Sequence, residues 1–257
     1  MKWKGRQLII SLLIIGSVLL TAAAQDDRKP QESPQIQEAE RLHKAGYNFF
    51  LEREYRKALE SFLSELPLRR AAGDTLGTAW ALNQIGESYS SLNEYQEALN
   101  YYSQALPMFR QAHDSHGEAR TLHALADCYR ALHNLPQSLE YLKEVLPIVR
   151  ASKDRQWEGM VLGDIGYTYF ALGEKTEAFK YLNERLTYER KQEGKFGEAE
   201  ALYDLGAAYE ASSDKKKAIE YYRQALFIYE RQSQTMVSEN LTTKLKELRE
   251  AIKRVEQ

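Results

Sequence analysis

A chain of 257 residues, 43% hydrophobic and 28% charged, has enough apolar material for one helical array with a continuous core. Its net charge is −2, with Lys and Arg interspersed among acids and no basic block, so it carries no nucleic-acid footprint. A single cysteine, Cys128, excludes an internal disulfide.

In chain order, Lys2, Lys4 and Arg6 precede an apolar run from Leu8 to Leu20, and Thr21-Ala22-Ala23-Ala24-Gln25 follows. This is the three-part build of a secretory signal peptide with small residues at the cleavage positions. Residues 1–24 are therefore expected to be a signal peptide cleaved after Ala24. The alternative is an uncleaved anchor over residues 8–24, slightly short of the about 20 residues that a spanning helix wants. Either way the expectation is export, to the periplasm or the cell exterior, with membrane contact only through this segment if it is retained. Residues 25–35 hold Asp26, Asp27, Arg28, Lys29, Pro30, Glu32 and Pro34 without apolar periodicity, and read as a flexible linker.

From residue 36 the chain repeats itself. Tyr89, Tyr129, Tyr169 and Tyr209 recur at an interval of 40 residues, with Phe49 one interval earlier. Other columns keep the register: Leu42, Leu82, Leu122, Leu162 and Leu202, then Gly46, Gly86, Ala126, Gly166 and Gly206. Further on come Ala58, Ala98, Ser138, Ala178 and Ala218, followed four residues later by Phe62, Tyr102, Leu142, Leu182 and Tyr222. Within a unit, Leu82, Ile85 and Tyr89 make one helical stripe and Ala98, Tyr102 and Leu106 a second, with a break at Ser91-Leu92-Asn93-Glu94 between them. Each unit thus predicts helix A, a turn and helix B. Small residues are expected where the two axes cross, with the aromatic column filling the remaining space. Asp74, Asp114 and Asp154 are expected N-caps of the following A helix. Pro67, Pro107 and Pro147 recur inside helix B and imply built-in curvature. The units run over about 36–75, 76–115, 116–155, 156–195 and 196–235. The last segment, 236–257, spaces Val237, Leu241, Leu245, Leu248, Ile252 and Val255 as an amphipathic helix suited to capping an array.

Leu82-x-x-Ile85-Gly86-x-x-Tyr89 followed by Ala98-x-x-x-Tyr102 resembles the tetratricopeptide repeat (TPR). The resemblance covers roughly residues 36 to 235. It implies an all-α fold: a right-handed α-solenoid of about five helix-turn-helix units plus a C-terminal capping helix. The 40-residue unit with Gly117-Glu118-Ala119 and Gly197-Glu198-Ala199 is similar to the repeat arrays of bacterial CHAT-domain proteins and of spindle-orientation adaptors. No protease domain fits in this chain beside the repeats.

No constellation of catalytic residues stands out. The chain has no Gly-rich phosphate loop, no Cys-x-x-Cys and no His-Glu-x-x-His. His113, His116 and His123 lack the convergent ligands that a metal needs, so no metal and no cofactor are expected. Cys128 falls in a column of small residues and reads as a packing cysteine.

Function is therefore expected on a surface, in a chain that is not an enzyme. Stacked units coil so that A helices line a concave groove. The positions facing it hold His43, Asn83, His123 and Tyr203 in one column and Tyr47, Glu87, Asp127 and Tyr167 in the next. Phe50, Arg130 and Phe170 lie further along, and Trp80 and Arg120 near the helix starts. Aromatics and arginine are common anchors of protein recognition. The expected partner is a protein or peptide, in the form of an extended segment or amphipathic helix. TPRs that clamp a terminal carboxylate use Lys, Arg and Asn; here Asn83, Arg120 and Arg130 stand beside Glu87 and Asp127, which favours an apolar, basic ligand. Two further readings stay open: an accessory or regulatory subunit of an envelope complex, and a stand-alone partner of a separately encoded CHAT-type protease.

Overall fold

A computed structural model describes residues 33–152, 155–192, 195–233 and 239–257. The expected signal peptide, most of the linker, Asp154, Gly194, Met236 and Val237 lie outside the described residues. Eleven helices and no strand occur among the described residues. Five pairs succeed one another: α1 (Pro34–Leu51) with α2 (Tyr55–Ala71), α3 (Thr75–Ser91) with α4 (Tyr95–Ala112), and α5 (Ser115–Ala131) with α6 (Leu135–Ser152). Then come α7 (Arg155–Ala171) with α8 (Lys175–Arg190), α9 (Lys195–Ala211) with α10 (Lys215–Ser233), and the terminal α11 (Glu239–Glu256). Each helix packs on its neighbours in sequence, and the A helices α3 and α5, and α7 and α9, also touch. That contact pattern defines an α-solenoid.

The helix starts follow from capping chemistry. Asp74 accepts from the Gly77 N–H at 2.8 Å, and Asp114 from those of His116 and Gly117 at 3.1 and 3.0 Å. α1 begins at Pro34, inside the stretch expected to be linker. Ser33 Oγ accepts from the Ile36 N–H at 3.3 Å, and proline suits the first helical position.

The A-to-B turns share a device that the sequence does not advertise. Arg53, Asn93, His133, Gly173 and Ser213, again 40 residues apart, all have positive φ, between 60° and 82°. In each turn the next N–H reaches back to the aromatic column: Glu94 to the Tyr89 carbonyl at 2.9 Å, Asn134 to Tyr129 at 2.8 Å, Asp214 to Tyr209 at 2.9 Å. With Asn93 N–H on the Ser90 carbonyl at 2.9 Å, this is the Schellman C-cap.

The core corrects the steric account of the small column. A Cβ on Gly86 would lie 2.7 Å from the Tyr102 ring, one on Gly46 2.7 Å from the Phe62 ring, and one on Gly206 2.5 Å from that of Tyr222. The glycines thus seat helix-B rings, where close approach of the axes had been expected to be the reason. Phe62, Tyr102 and Tyr222 are fully buried, while Tyr89, Tyr129 and Tyr209 are half-buried and Tyr169 is buried. The aromatic column therefore stacks at the margin of the core, on a second tyrosine column. Tyr89 meets Tyr101 with centroids 5.4 Å apart, Tyr129 meets Tyr141 at 5.5 Å, Tyr169 meets Tyr181 at 5.6 Å, and Tyr209 meets Tyr221 at 5.4 Å.

Charges that read as solvated faces also join units. Arg110 Nε donates to Glu118 at 2.8 Å and its Nη2 to Glu144 at 2.6 Å. One unit later Arg150 donates to Glu158 at 3.1 Å and to Glu184. At the far end α11 buries Leu241, Leu248, Ala251, Ile252 and Val255. Its Arg254 donates to Glu210 at 2.8 Å, and its Arg249 to Glu230 at 2.9 Å.

Candidate functional site

The A helices of units 2, 3 and 4 enclose a concavity of about 520 Å³. Asn83 and Glu87 of α3, Arg120, His123 and Asp127 of α5, and Trp157 and Met160 of α7 line it, with Ser90, His116 and Tyr102. Five of the groove residues expected from sequence are thereby brought together. The other eight lie outside its lining: His43, Tyr47 and Phe50 on α1, Trp80 on α3, Arg130 on α5, Tyr167 and Phe170 on α7, Tyr203 on α9.

Most polar side chains on this wall are already engaged, and mainly across unit boundaries. Arg120 Nη2 donates to Glu87 at 3.2 Å, bridging α5 to α3. His123 Nε2 lies 2.9 Å from Asp164 of α7, and its Nδ1 lies 3.5 Å from Asp127. Arg130 donates to Asp127 and reaches Asp164 at 3.9 Å. Tyr167 donates its hydroxyl to Asp204 of α9, which Arg185 of α8 also approaches. Gly163 leaves room for that arginine, since a Cβ there would lie 2.8 Å from its Nη1. Asn83 is buried at 2% exposure and its Nδ2 donates to Thr121 Oγ1 at 2.9 Å. An amide expected to face a ligand thus ties α3 to α5. In unit 1, His43 Nδ1 lies 3.1 Å from the buried Glu65, which Arg69 Nε also reaches at 3.0 Å.

Burial and charge set the titrations. Burial raises the Glu87 pKa against the pull of Arg120, and raises that of Asp204 against Arg185 and the Tyr167 hydroxyl. For His123, burial disfavours the charge, but the hydrogen bond to Asp164 and the charges of Asp127 and Asp164 outweigh it, so its pKa is raised. Cys128 is buried and its thiol is pushed up to about 11, chiefly by burial. A thiol so disposed is not an activated nucleophile.

The aromatic candidates divide by exposure. Tyr47 is 48% exposed and Tyr167 38%. Phe50 packs on Tyr55 at 5.3 Å, Phe170 on Phe179 at 6.4 Å, and Tyr203 on Tyr222 at 5.5 Å. Trp80 begins a row that sequence reading missed. Its ring lies 5.6 Å from His116, which lies 6.1 Å from Trp157, so three successive units contribute to one aromatic edge. Arg120 stands over Trp80 at 5.9 Å. These rings occupy different columns of the repeat, so no periodic signal marked them. Among the described residues no cluster of His, Cys, Asp or Glu could hold a metal ion, and no helix is long and apolar enough to cross a membrane.

The arrangement is a wall of paired charges bordered by rings. Its likeness to known proteins is of fold. A repeat protein of Podosopora anserina, described as kinesin light chain nearly identical TPR-like repeats, superposes with a TM-score of 0.68 at 18% identity, over 81% of this chain and all of that one. The apo form of RapI gives 0.63 at 16% identity, over 87% of this chain and 66% of that chain. A Rap protein complexed with competence and sporulation factor gives 0.60 at 16% identity, over 87% and 67%. A comparison with curated proteins returned no match. Tetratricopeptide repeat family models match residues 37–111 and 117–191, and a further one residues 199–230. With well over half of its length matched by these models, the chain belongs to the tetratricopeptide repeat family.

Proposed function

We propose that this protein is a non-enzymatic interaction scaffold that binds a peptide or helical segment of a protein partner in its concave groove. One observation carries the reading: the 520 Å³ concavity, built by A helices of three consecutive units and edged by Trp80, His116 and Trp157. An apolar segment would cover the rings, while its basic side chains would face Glu87 and Asp127. The Rap protein found with competence and sporulation factor is a fold relative that holds a factor, which supports a binding role for the array. The finer parts of the proposal rest on sequence. Residues 1–24 direct export, to the periplasm or the exterior. The repeat spacing favours an adaptor role, or partnership with a separately encoded CHAT-type protease. Affinity capture of partners by wild type and by a Trp157→Ala/Met160→Ala variant, which alters two side chains lining the concavity, tests groove binding. Loss of the partner with an unchanged circular dichroism spectrum supports it. Full retention moves the function to the convex or edge face, as in an accessory subunit of an envelope complex.

A further inference from the structure

We propose that the outer edge of the fifth unit, between α9 and α10, is a second docking site, for a partner segment that places a bulky apolar side chain between carboxylates. The reading is independent of the groove.

The comparison that supports it is internal to the repeat. In units 3 and 4 the arginine at the end of the preceding B helix bridges two glutamates, Arg110 to Glu118 and Glu144, Arg150 to Glu158 and Glu184. These bridges span the gap between helix A and helix B at the unit's outer edge. In unit 5 Arg190 keeps Glu198 at 3.2 Å, but the second position holds Gln224. A concavity of about 730 Å³ stands there, with Gln224 in its lining. Unit 2 also has a glutamine at this position, Gln104, and also has a concavity, of about 430 Å³. In unit 2 Arg70 still donates to that glutamine, at 3.5 Å, and the concavity is the smaller of the two.

Unit 5 differs from unit 2 in how the gap is furnished. Phe227 occupies the place of Pro67, Pro107, Pro147 and Thr187, and is 61% exposed. It is not a lone exposed ring, because it shares the lining of the concavity with other apolar side chains. Leu202 and Ile228 add apolar lining, and Lys195, Arg223 and Arg231 add three cations. Arg231 lies over Phe227 with its guanidinium carbon 5.9 Å from the ring centroid, so a cation stands beside the exposed ring. Glu198 and Glu256 are the nearby acids, the first held by Lys195 at 2.9 Å and Arg190, the second by Arg223 at 2.8 Å. Cations outnumber acids around an exposed ring. The complement is an apolar side chain seated against Phe227, with a carboxylate on either side for bidentate capture by arginine. The unit 2 concavity has one arginine and no aromatic in its lining, so it offers no such match.

The test uses the full chain and a fluorescein-labelled twelve-residue peptide that alternates Glu pairs with Leu and Phe, read by fluorescence anisotropy. Two control peptides change Glu to Lys, or Leu and Phe to Ser. Gln224→Glu restores the carboxylate of units 3 and 4, and Phe227→Thr installs the residue of unit 4, so both variants carry side chains that this fold already accepts at those places. The expected result is saturable binding of the acidic apolar peptide. Binding should weaken at least tenfold for both controls and both variants, and stay unchanged in Trp157→Ala/Met160→Ala, which alters the groove concavity. No saturation with wild type, equal binding by the serine control, or equal binding by Gln224→Glu and Phe227→Thr would each overturn the proposal. The serine result would reduce the edge to a general anion surface.

Discussion

The ring of Tyr129, near the end of α5, lies face to face with that of Tyr141 on α6, with centroids 5.5 Å apart and planes inclined by 12°. The same relation joins A and B helices in units 2, 4 and 5. Tyr129 is half-buried, so Tyr129→Ala is expected to cost about 2–3 kcal/mol, below the range for a fully buried ring. Arg130→Ala removes a surface ion pair to Asp127 and should cost about 0.5 kcal/mol. Urea denaturation of both variants checks the difference; equal losses would contradict the facing of these adjacent residues.

Gly86→Ala should destabilise by about 1–3 kcal/mol, because the new methyl meets the Tyr102 ring at 2.7 Å and outweighs the gain in helix propensity. Unit 3 shows the compatible pairing, Ala126 with Leu142, both buried. Gly86→Ala combined with Tyr102→Leu should therefore cost less than the two single changes together, with a coupling of about 1 kcal/mol. Additive losses in a double-mutant cycle would refute this packing account.

Ser138 is fully buried and its hydroxyl has no hydrogen-bond partner among the described residues. The four equivalent positions in the other units are alanines, each fully buried. Ser138→Ala should raise stability by about 1 kcal/mol, the cost of stranding one buried hydroxyl. A lowered thermal midpoint would show that the hydroxyl is satisfied after all.

His123 links units 3 and 4 through Asp164, and its folded pKa is raised above that of an ordinary imidazole. A raised folded value means that the folded state holds the proton more tightly. The imidazolium's contribution is then full below about pH 6.5 and fades as pH climbs through the folded value. Wild type should lose stability across that window relative to His123→Gln, measured by denaturant midpoints at several pH values. Parallel curves for the two proteins would sink the assignment.

The helix pairs and the capping aspartates Asp74 and Asp114 were readable because packing and capping recur in register, and a repeat prints each requirement several times. The tyrosine partners Tyr101, Tyr141, Tyr181 and Tyr221 share that period and could have been found; attention to a single column hid them. The left-handed turn residues escaped because one of five is glycine, while the others tolerate the conformation under tertiary constraint. The arginine–glutamate bridges escaped for a different reason. Arg110 meets Glu118 and Glu144 at separations of 8 and 34 residues, spacings that no single-helix rule predicts. Asn83 is 2% exposed and bonded to Thr121, a depth that sequence does not convey, since it gives the face of a helix and not how far a neighbouring helix covers it.

Arg53, Asn93, His133 and Ser213 each hold a side chain in a backbone region that costs on the order of 1 kcal/mol for an L-residue. Gly173 avoids that cost at the equivalent place. The tip of nearly every hairpin thus holds a small reserve of stability. Glycine placed at one tip at a time would relieve that strain, and the melting temperature of each variant would show how much of the gain the looser unfolded chain takes back.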